Sequence, residues 1–157
     1  MPERIKLQRT RGWRLPPGAV SVARPTRWGN PFKVGEALAR VPAAVGDGEW
    51  EYEGRISAAG TRHDYFHADG RVTVCHVRLM TAAECVETYR RALTGDYSPA
   101  MRMSGGRFLK VTVDDVRRHL GGKSLACWCP LPAEGQPDIC HARVLLDLAN
   151  HPEASRA

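Results

Sequence analysis

The segment Leu125-Ala126-Cys127-Trp128-Cys129, separated by ten residues from Cys140-His141, is the most informative part of the sequence about the fold. Apolar and small side chains alternate over residues 123–129, which predicts a strand. Residues 141–150 carry apolar side chains at helical spacing, which predicts a helix beginning at the Cys-His pair. The loop between them should cross the carboxyl edge of a sheet, where open α/β proteins bind their ligands.

The segments on the N-terminal side of this strand–loop–helix step predict further strands and helices. Residues 3–8 alternate in polarity as a half-buried strand does, and residues 19–23 form a second strand after a Pro-Pro-Gly turn. Thr81 and Glu84 form a capping box that opens a helix reaching about Leu93. Another helix is predicted over 113–120, between Thr112 and Gly121. This order predicts an α/β fold with a small, largely parallel sheet flanked by helices.

A third feature is the segment 46–78, whose short apolar and aromatic runs alternate with glycine-containing turns. This pattern predicts a β-meander inserted into the fold. Its two histidines, His63 and His67, are expected to be solvated. The whole chain, residues 1–157, is expected to form a single α/β domain, with residues 151–157 as a flexible tail.

The clustered cysteines and histidine allow three interpretations. Cys127, Cys129, Cys140 and His141 are four sulfur and nitrogen ligands of the type that zinc prefers, although Cys-x-Cys and Cys-His are tighter than usual zinc spacings. Alternatively, Cys129 or Cys140 is a reactive, catalytic thiol at the start of a helix, with His141 as base or orienting group. In the third interpretation the cysteines are small core residues and His141 simply begins the helix.

The loop Arg24-Pro-Thr-Arg-Trp-Gly-Asn-Pro-Phe32 is a second candidate site. Two prolines and a glycine exclude regular structure, and such surface loops concentrate binding residues. Arg24 and Arg27 are suited to clamping a phosphate, Trp28 to stacking on a base, and Asn30 to reading a polar edge. The competing interpretation is a rigid turn in which Trp28 packs in the core and Asn30 bonds its own backbone.

Charge is unevenly distributed along the chain. The net charge is +6, yet residues 1–33 hold eight basic side chains against Glu3 alone, and the rest of the chain holds fifteen basic and sixteen acidic ones. Arg11 and Trp13 lie in this basic segment and extend the candidate binding surface. Arginine beside tryptophan suits contacts to phosphates and bases, which makes nucleic acid one candidate partner.

Length and composition exclude several classes of protein. The chain has 157 residues, 43% hydrophobic and 25% charged, which fits a globular domain able to bury roughly 70% of its unfolded surface. It has no apolar run of the roughly 18 residues that a membrane helix needs. Its first residues do not resemble a signal peptide, and its five cysteines are an odd number. We therefore expect a cytoplasmic protein that does not bind membranes, with cysteines that are structural, metal-binding or reactive.

Two sequence blocks, Val20–Phe32 and Leu125–Leu146, resemble a known family. Val-Ser-Val-Ala-Arg-Pro-Thr-Arg-Trp-Gly-Asn-Pro-Phe and Leu-Ala-Cys-Trp-Cys followed by Cys-His are similar to domain-of-unknown-function family 4326, which occurs in actinobacteria and their bacteriophages. The resemblance implies a compact α/β fold and brings no established reaction. This chain carries Ala142 and Arg143 where that family often has glycine and an acidic residue.

The sequence is consistent with three functions from different classes. The first is binding, with or without chemical processing, of a nucleotide or other phosphorylated small molecule between the Arg24–Phe32 loop and the cysteine cluster. The second is nucleic-acid binding by an accessory protein of a phage or mobile element, with a structural zinc site. The third is a non-catalytic interaction module that binds a protein through residues 46–78.

Overall fold

One half of the chain is built on parallel β-strands that pair with the strand containing Leu125. The computed structural model describes residues 1–54, 57–151 and 153, which fall into two compact units. Unit 1 combines Met1–Pro31 with the chain from Leu109 onward, and unit 2 is Phe32–Phe108. The described elements are, in chain order, β1 (Arg4–Lys6), β2 (Val20–Ser21), β3 (Leu38–Val41), β4 (Glu51–Tyr52), β5 (Tyr65–Phe66), β6 (Val72–Thr73), β7 (His76–Leu79), α1 (Ala82–Thr94), α2 (Pro99–Met103), α3 (Val113–Leu120), β8 (Leu125–Cys127) and α4 (His141–Asn150).

Unit 1 is built on a three-stranded parallel sheet in the order β1-β8-β2. All three residues of β8 are buried, as expected for a central strand covered on both faces. Helix α4 packs against this sheet and α3 packs against α4. Fully buried Leu125, Val116 and Leu145 fill the core between these layers. The predicted strand–loop–helix step is therefore confirmed.

Unit 2 contains antiparallel strands instead. Its three-stranded sheet has the order β4-β3-β7, and β5 pairs with β6 as a separate hairpin. Strand β3 lies before the predicted 46–78 segment and pairs with both β4 and β7, so these strands do not form a simple meander. Instead of one largely parallel sheet, the described strands form three small sheets, of which only that of unit 1 is parallel.

The predicted helices are confirmed with their caps. Thr81 and Glu84 form the expected capping box of α1, which ends at Gly95 with a positive φ of 77°. Thr112 caps α3 in the same way through Asp115. The sequence did not predict α2, which has five residues. Parts of two predictions, the meander at residues 55–56 and the tail at 152 and 154–157, lie outside the described residues, and the single-domain assignment stays a prediction.

Glu84 also makes the stability of α1 sensitive to acid. Arg78 donates two hydrogen bonds to its carboxylate, at 2.6 and 2.9 Å, and these are the main reason that the pKa of Glu84 lies below its ordinary value of 4.5. Because folding lowers the pKa of Glu84, its pair with Arg78 stabilises the folded state at pH values above the unfolded-state pKa. This stabilisation is lost as the pH falls through the folded-state pKa.

We therefore expect Glu84→Gln to reduce the free energy of unfolding at pH 7 by less than about 1 kcal/mol. The difference from the unmodified protein should shrink as the pH falls below 4.5. Urea unfolding at a series of pH values measures it, with the exposed Glu134→Gln as control. A difference that stays constant down to strongly acidic pH would contradict this role for the Arg78 pair.

Candidate functional site

The cysteine cluster lies where the parallel strands of unit 1 end. Cys127 is the last residue of β8, Cys129 follows it, and Cys140 directly precedes α4. Val22 directly follows β2 and supplies a backbone carbonyl at the same edge. Because β1, β8 and β2 are parallel, their carboxyl ends share one edge of the sheet, as the sequence predicted.

The three thiols are close enough to share one ion. The sulfurs of Cys127, Cys129 and Cys140 all lie within 4.8 Å of one another, and those of Cys127 and Cys129 are 3.8 Å apart. Cys127 and Cys140 are buried, whereas Cys129 is partly exposed. This group can hold a metal ion.

His141, in the first turn of α4, lies beside two of the three thiols. Its Nδ1 lies 4.0 Å from the Cys127 sulfur and 3.9 Å from the Cys140 sulfur. Its Nε2 lies 2.7 Å from the Val22 carbonyl oxygen, so the ring donates its Nε2–H there and the proton is assigned to that nitrogen. This tautomer leaves a lone pair on Nδ1, which faces the sulfurs. Metal-binding histidines are commonly held in this way by a hydrogen bond from the second nitrogen.

The thiols also influence each other's ionisation. Hydrogen bonds from the thiols of Cys129 and Cys140 lower the pKa of Cys127 far below its ordinary value. The same bonds to Cys127 raise the pKa of Cys129 and of Cys140. The cluster therefore accommodates one thiolate readily and resists further negative charge, which a bound cation would offset.

A buried arginine holds the loop that carries Cys129. Arg4 in β1 is 8% exposed, and its Nε donates to the carboxylate of Asp138 at 2.6 Å. Its Nη1 donates to the Cys129 carbonyl at 3.1 Å, and its Nη2 donates to the Pro130 carbonyl. Sequence reasoning counted Arg4 only as part of the basic segment. The alternating pattern of residues 3–8 did not distinguish it from an exposed strand residue.

The structure separates the residues of the Arg24–Phe32 loop into exposed and buried ones. Arg24 and Arg27 are exposed, whereas Trp28 and Asn30 are each 5% exposed. Arg24 donates to the Asn30 carbonyl at 2.7 Å, and the guanidinium of Arg27 lies 4.4 Å from the centre of the Trp28 ring. This burial favours the interpretation of Trp28 as a core residue of unit 1. The side chains of Arg24 and Arg27 remain accessible to solvent.

Another tryptophan is exposed instead. Trp128, between two of the cysteines, is 46% exposed, and the guanidinium of Arg9 lies 5.0 Å from the centre of its ring. Arg11 is exposed and Trp13 is partly exposed in the loop that follows β1. In the described part of the chain, Arg9, Arg11 and Arg27 form no ion pair. The sequence pattern had placed Trp128 inside a longer strand, but β8 ends at Cys127.

Comparison with known proteins finds a family match that includes the two sequence blocks containing Arg27 and the cysteines. Residues 5–151 match the family described as Domain of unknown function (DUF4326), which is nearly the whole chain. The chain belongs to the DUF4326 family. No curated protein and no solved structure matches it.

The DUF4326 match includes all the candidate site residues, the whole of unit 2 and most of unit 1. No helix in the described part of this DUF4326 chain is long and apolar enough to cross a lipid bilayer.

In unit 2, His63 is not simply solvated as expected, because its Nδ1 contacts the buried carboxylate of Glu53. His67 contacts the Thr73 hydroxyl at 2.7 Å.

Proposed function

We propose that this DUF4326 protein binds nucleic acid through unit 1 and that a structural zinc ion stabilises the carboxyl edge of the parallel sheet, where the nucleic acid binds. Cys127, Cys129, Cys140 and His141 would hold the zinc ion. Four protein ligands leave no open position for substrate, which is typical of structural rather than catalytic zinc.

The observation that carries this proposal is the spacing of the three sulfurs, together with the position of His141 Nδ1 beside two of them. With Zn–S near 2.3 Å and Zn–N near 2.0 Å, a tetrahedral zinc ion places its sulfurs about 3.8 Å apart and sulfur and nitrogen about 3.5 Å apart. The Cys127–Cys129 sulfur separation is 3.8 Å, and His141 Nδ1 lies 3.9 and 4.0 Å from two sulfurs. The two short sequence spacings therefore do not prevent a tetrahedral site.

Charge and exposure at the same edge support nucleic acid as the ligand. Arg9, Arg11 and Arg27 lie on loops that follow parallel strands and form no ion pair with a described carboxylate. Trp128 offers an exposed ring in a backbone that the zinc ligands would fix on either side. Stacking on an aromatic ring and contacts from arginine to phosphate are the usual means of binding single strands.

A salt titration of oligonucleotide binding tests this proposal. We expect the affinity of the zinc-loaded protein for a fluorescent single-stranded oligonucleotide to fall steeply as salt is raised, because phosphate contacts release counterions. Arg27→Ala should flatten the slope of log affinity against log salt by about 0.7. Trp128→Ala should cost about 1–3 kcal/mol of binding free energy. Fluorescence anisotropy measures both effects.

The matched control is Arg71→Ala, which removes an exposed arginine of unit 2 that is already paired with Asp69. It should leave both the affinity and the salt slope unchanged. An affinity that does not depend on salt would overturn the nucleic-acid proposal.

A small phosphorylated molecule at this edge is the second candidate ligand. Arg24 favours it, because its bond to the Asn30 carbonyl fixes an exposed guanidinium in one orientation. Cys129, the one thiol of the cluster that is partly exposed, is then the residue placed to react with such a ligand. A mononucleotide that displaces the oligonucleotide at low concentration would favour this candidate. Displacement only by longer strands would favour nucleic acid.

A further inference from the structure

The three sulfurs of the cysteine cluster in unit 1 differ in their access to solvent. Cys127 and Cys140 are 4% and 1% exposed, whereas Cys129 is partly exposed. Every residue from 130 to 137 is exposed as well, so the loop that follows Cys129 lies at the surface. A small, water-soluble oxidant can therefore reach the Cys129 sulfur before it reaches the other two.

Both buried sulfurs lie close to that of Cys129, but one of them is the better partner for a disulfide. The three sulfurs lie within 4.8 Å of one another, and a disulfide needs a separation of about 2.0 Å. Cys127 is part of the central strand β8, only two residues before Cys129, so a bond between these two would distort the end of the strand. Cys140 is separated from Cys129 by ten residues, and this mostly exposed loop can adjust while the sulfurs approach.

We propose that the cluster is a redox switch in which a peroxide joins Cys129 to Cys140 and thereby releases the zinc ion. This inference rests on the proposed function, because it adds regulation to the zinc site and to the nucleic-acid surface beside it. A thiol that regulates in this way needs access to the oxidant and a second thiol within reach. Cys129 meets the first requirement and Cys140 the second.

The chemistry takes two steps with hydrogen peroxide as the oxidant. In the first step the Cys129 thiolate attacks one peroxide oxygen, the O–O bond breaks, and sulfenic acid and hydroxide are formed. In the second step the Cys140 thiolate attacks the Cys129 sulfur, the S–S bond forms and a second hydroxide leaves. The two sulfurs lose two electrons, which reduce the peroxide, and two protons from solvent convert both hydroxides to water. Only Cys127 and His141 then remain as ligands, whereas a structural zinc site needs four.

The same reaction weakens nucleic-acid binding, because Trp128 lies between two of the zinc ligands. Its ring is 46% exposed, and the guanidinium of Arg9 lies 5.0 Å from the ring centre. When the Cys129 sulfur moves towards Cys140 and the zinc ion leaves, the backbone on both sides of Trp128 loses its constraint. Losing the stacking of one aromatic ring lowers the affinity for a single strand by at least about fivefold.

Peroxide treatment of the full-length, zinc-loaded protein tests the switch. We expect hydrogen peroxide to release about one zinc ion per chain, measured with a colorimetric chelator. The number of thiols titrated after denaturation should fall by two, since Cys75 and Cys85 are 0% and 2% exposed and should stay reduced. Peptide mapping should find the new bond between Cys129 and Cys140. Affinity for the single-stranded oligonucleotide should fall at least about fivefold, and dithiothreitol with zinc should restore it.

Cys129→Asp is the diagnostic variant, because a carboxylate still binds zinc and peroxide does not oxidise it. It should keep its zinc and its oligonucleotide affinity under treatment that removes zinc from the unmodified protein. Cys85→Ala is the matched control, because it removes a buried thiol outside the cluster and should respond as the unmodified protein does. Peptide mapping of the unmodified protein gives a result even if Cys129→Asp fails to fold.

The switch and the proposed function fail in different ways. Protein that is purified with zinc and binds the oligonucleotide, yet keeps its zinc under peroxide, would overturn the switch and leave the proposed function intact. A bond between Cys127 and Cys129, or zinc release that leaves the oligonucleotide affinity unchanged, would overturn the switch as well. Protein purified without zinc would overturn both proposals, and this result is known before any oxidant is added.

Discussion

A chelator that strips zinc from the purified protein is expected to unfold unit 1. Structural zinc contributes about 10–16 kcal/mol of apparent binding free energy, whereas a whole domain is stable by about 5–15 kcal/mol. Freshly purified protein should contain about one zinc per chain. Cys140→Ser should reduce the zinc content to near zero and lose the cooperative unfolding transition of unit 1. Metal analysis, thiol titration and circular dichroism on one sample measure these effects.

Cys85→Ala is the matched control for this experiment. Cys85 is as buried as Cys140 but lies in α1 of unit 2, outside the cluster, and alanine favours a helix. Its zinc content should equal that of the unmodified protein. Metal-free protein that is fully folded and has one fast-reacting thiol would contradict the zinc site. It would instead support the interpretation of Cys129 as a reactive residue.

Replacing Arg4 by methionine is expected to destabilise unit 1 by about 3–5 kcal/mol. The change removes one partner of a buried ion pair and leaves the Asp138 carboxylate, whose side chain is 12% exposed, without its cation. It also leaves the carbonyls of Cys129 and Pro130 without their donor. Urea unfolding of the zinc-loaded protein measures the loss.

Arg143→Met provides the comparison for Arg4→Met. Arg143 and Asp147 form an ion pair within α4, but both side chains are more than 40% exposed. Exposed pairs of this kind contribute about 0.3–0.5 kcal/mol. If the two substitutions destabilise the protein equally, Arg4 does not anchor the cysteine loop as its contacts indicate.

The elements that sequence reasoning identified are those with strong local signals. Helices α1 and α3 carry capping boxes, and β8 has an apolar pattern bounded by the cysteines. The sequence did not predict strand β3, because the strand has only four residues and one of them is the charged Arg40. A charged strand residue is normally expected to be exposed, whereas Arg40 is buried. Its charge is tolerated only because Glu51 on β4 neutralises it, and that pairing is not visible in the sequence.

The candidate site was predicted in part for similar reasons. Parallel strand order brings Cys127 and Cys140 to one edge, so their proximity followed from the fold. The burial of Trp28 did not follow, because it depends on packing beside His119, whose ring centre is 6.2 Å away. Short motifs predict which residues share a loop, whereas tertiary packing decides which of them are accessible.

The position of β8 between β1 and β2 has a consequence for the order in which this chain folds during synthesis. The ribosome makes β1 and β2 first, yet their shared partner appears more than 100 residues later, when Leu125–Cys127 is translated. Unit 2 is complete at Phe108, before that strand exists. Until then the N-terminal strands have unpaired edges, which chaperones recognise and which promote aggregation. Binding of the proposed zinc ion, which needs Cys140 and His141, would then follow the synthesis of unit 2.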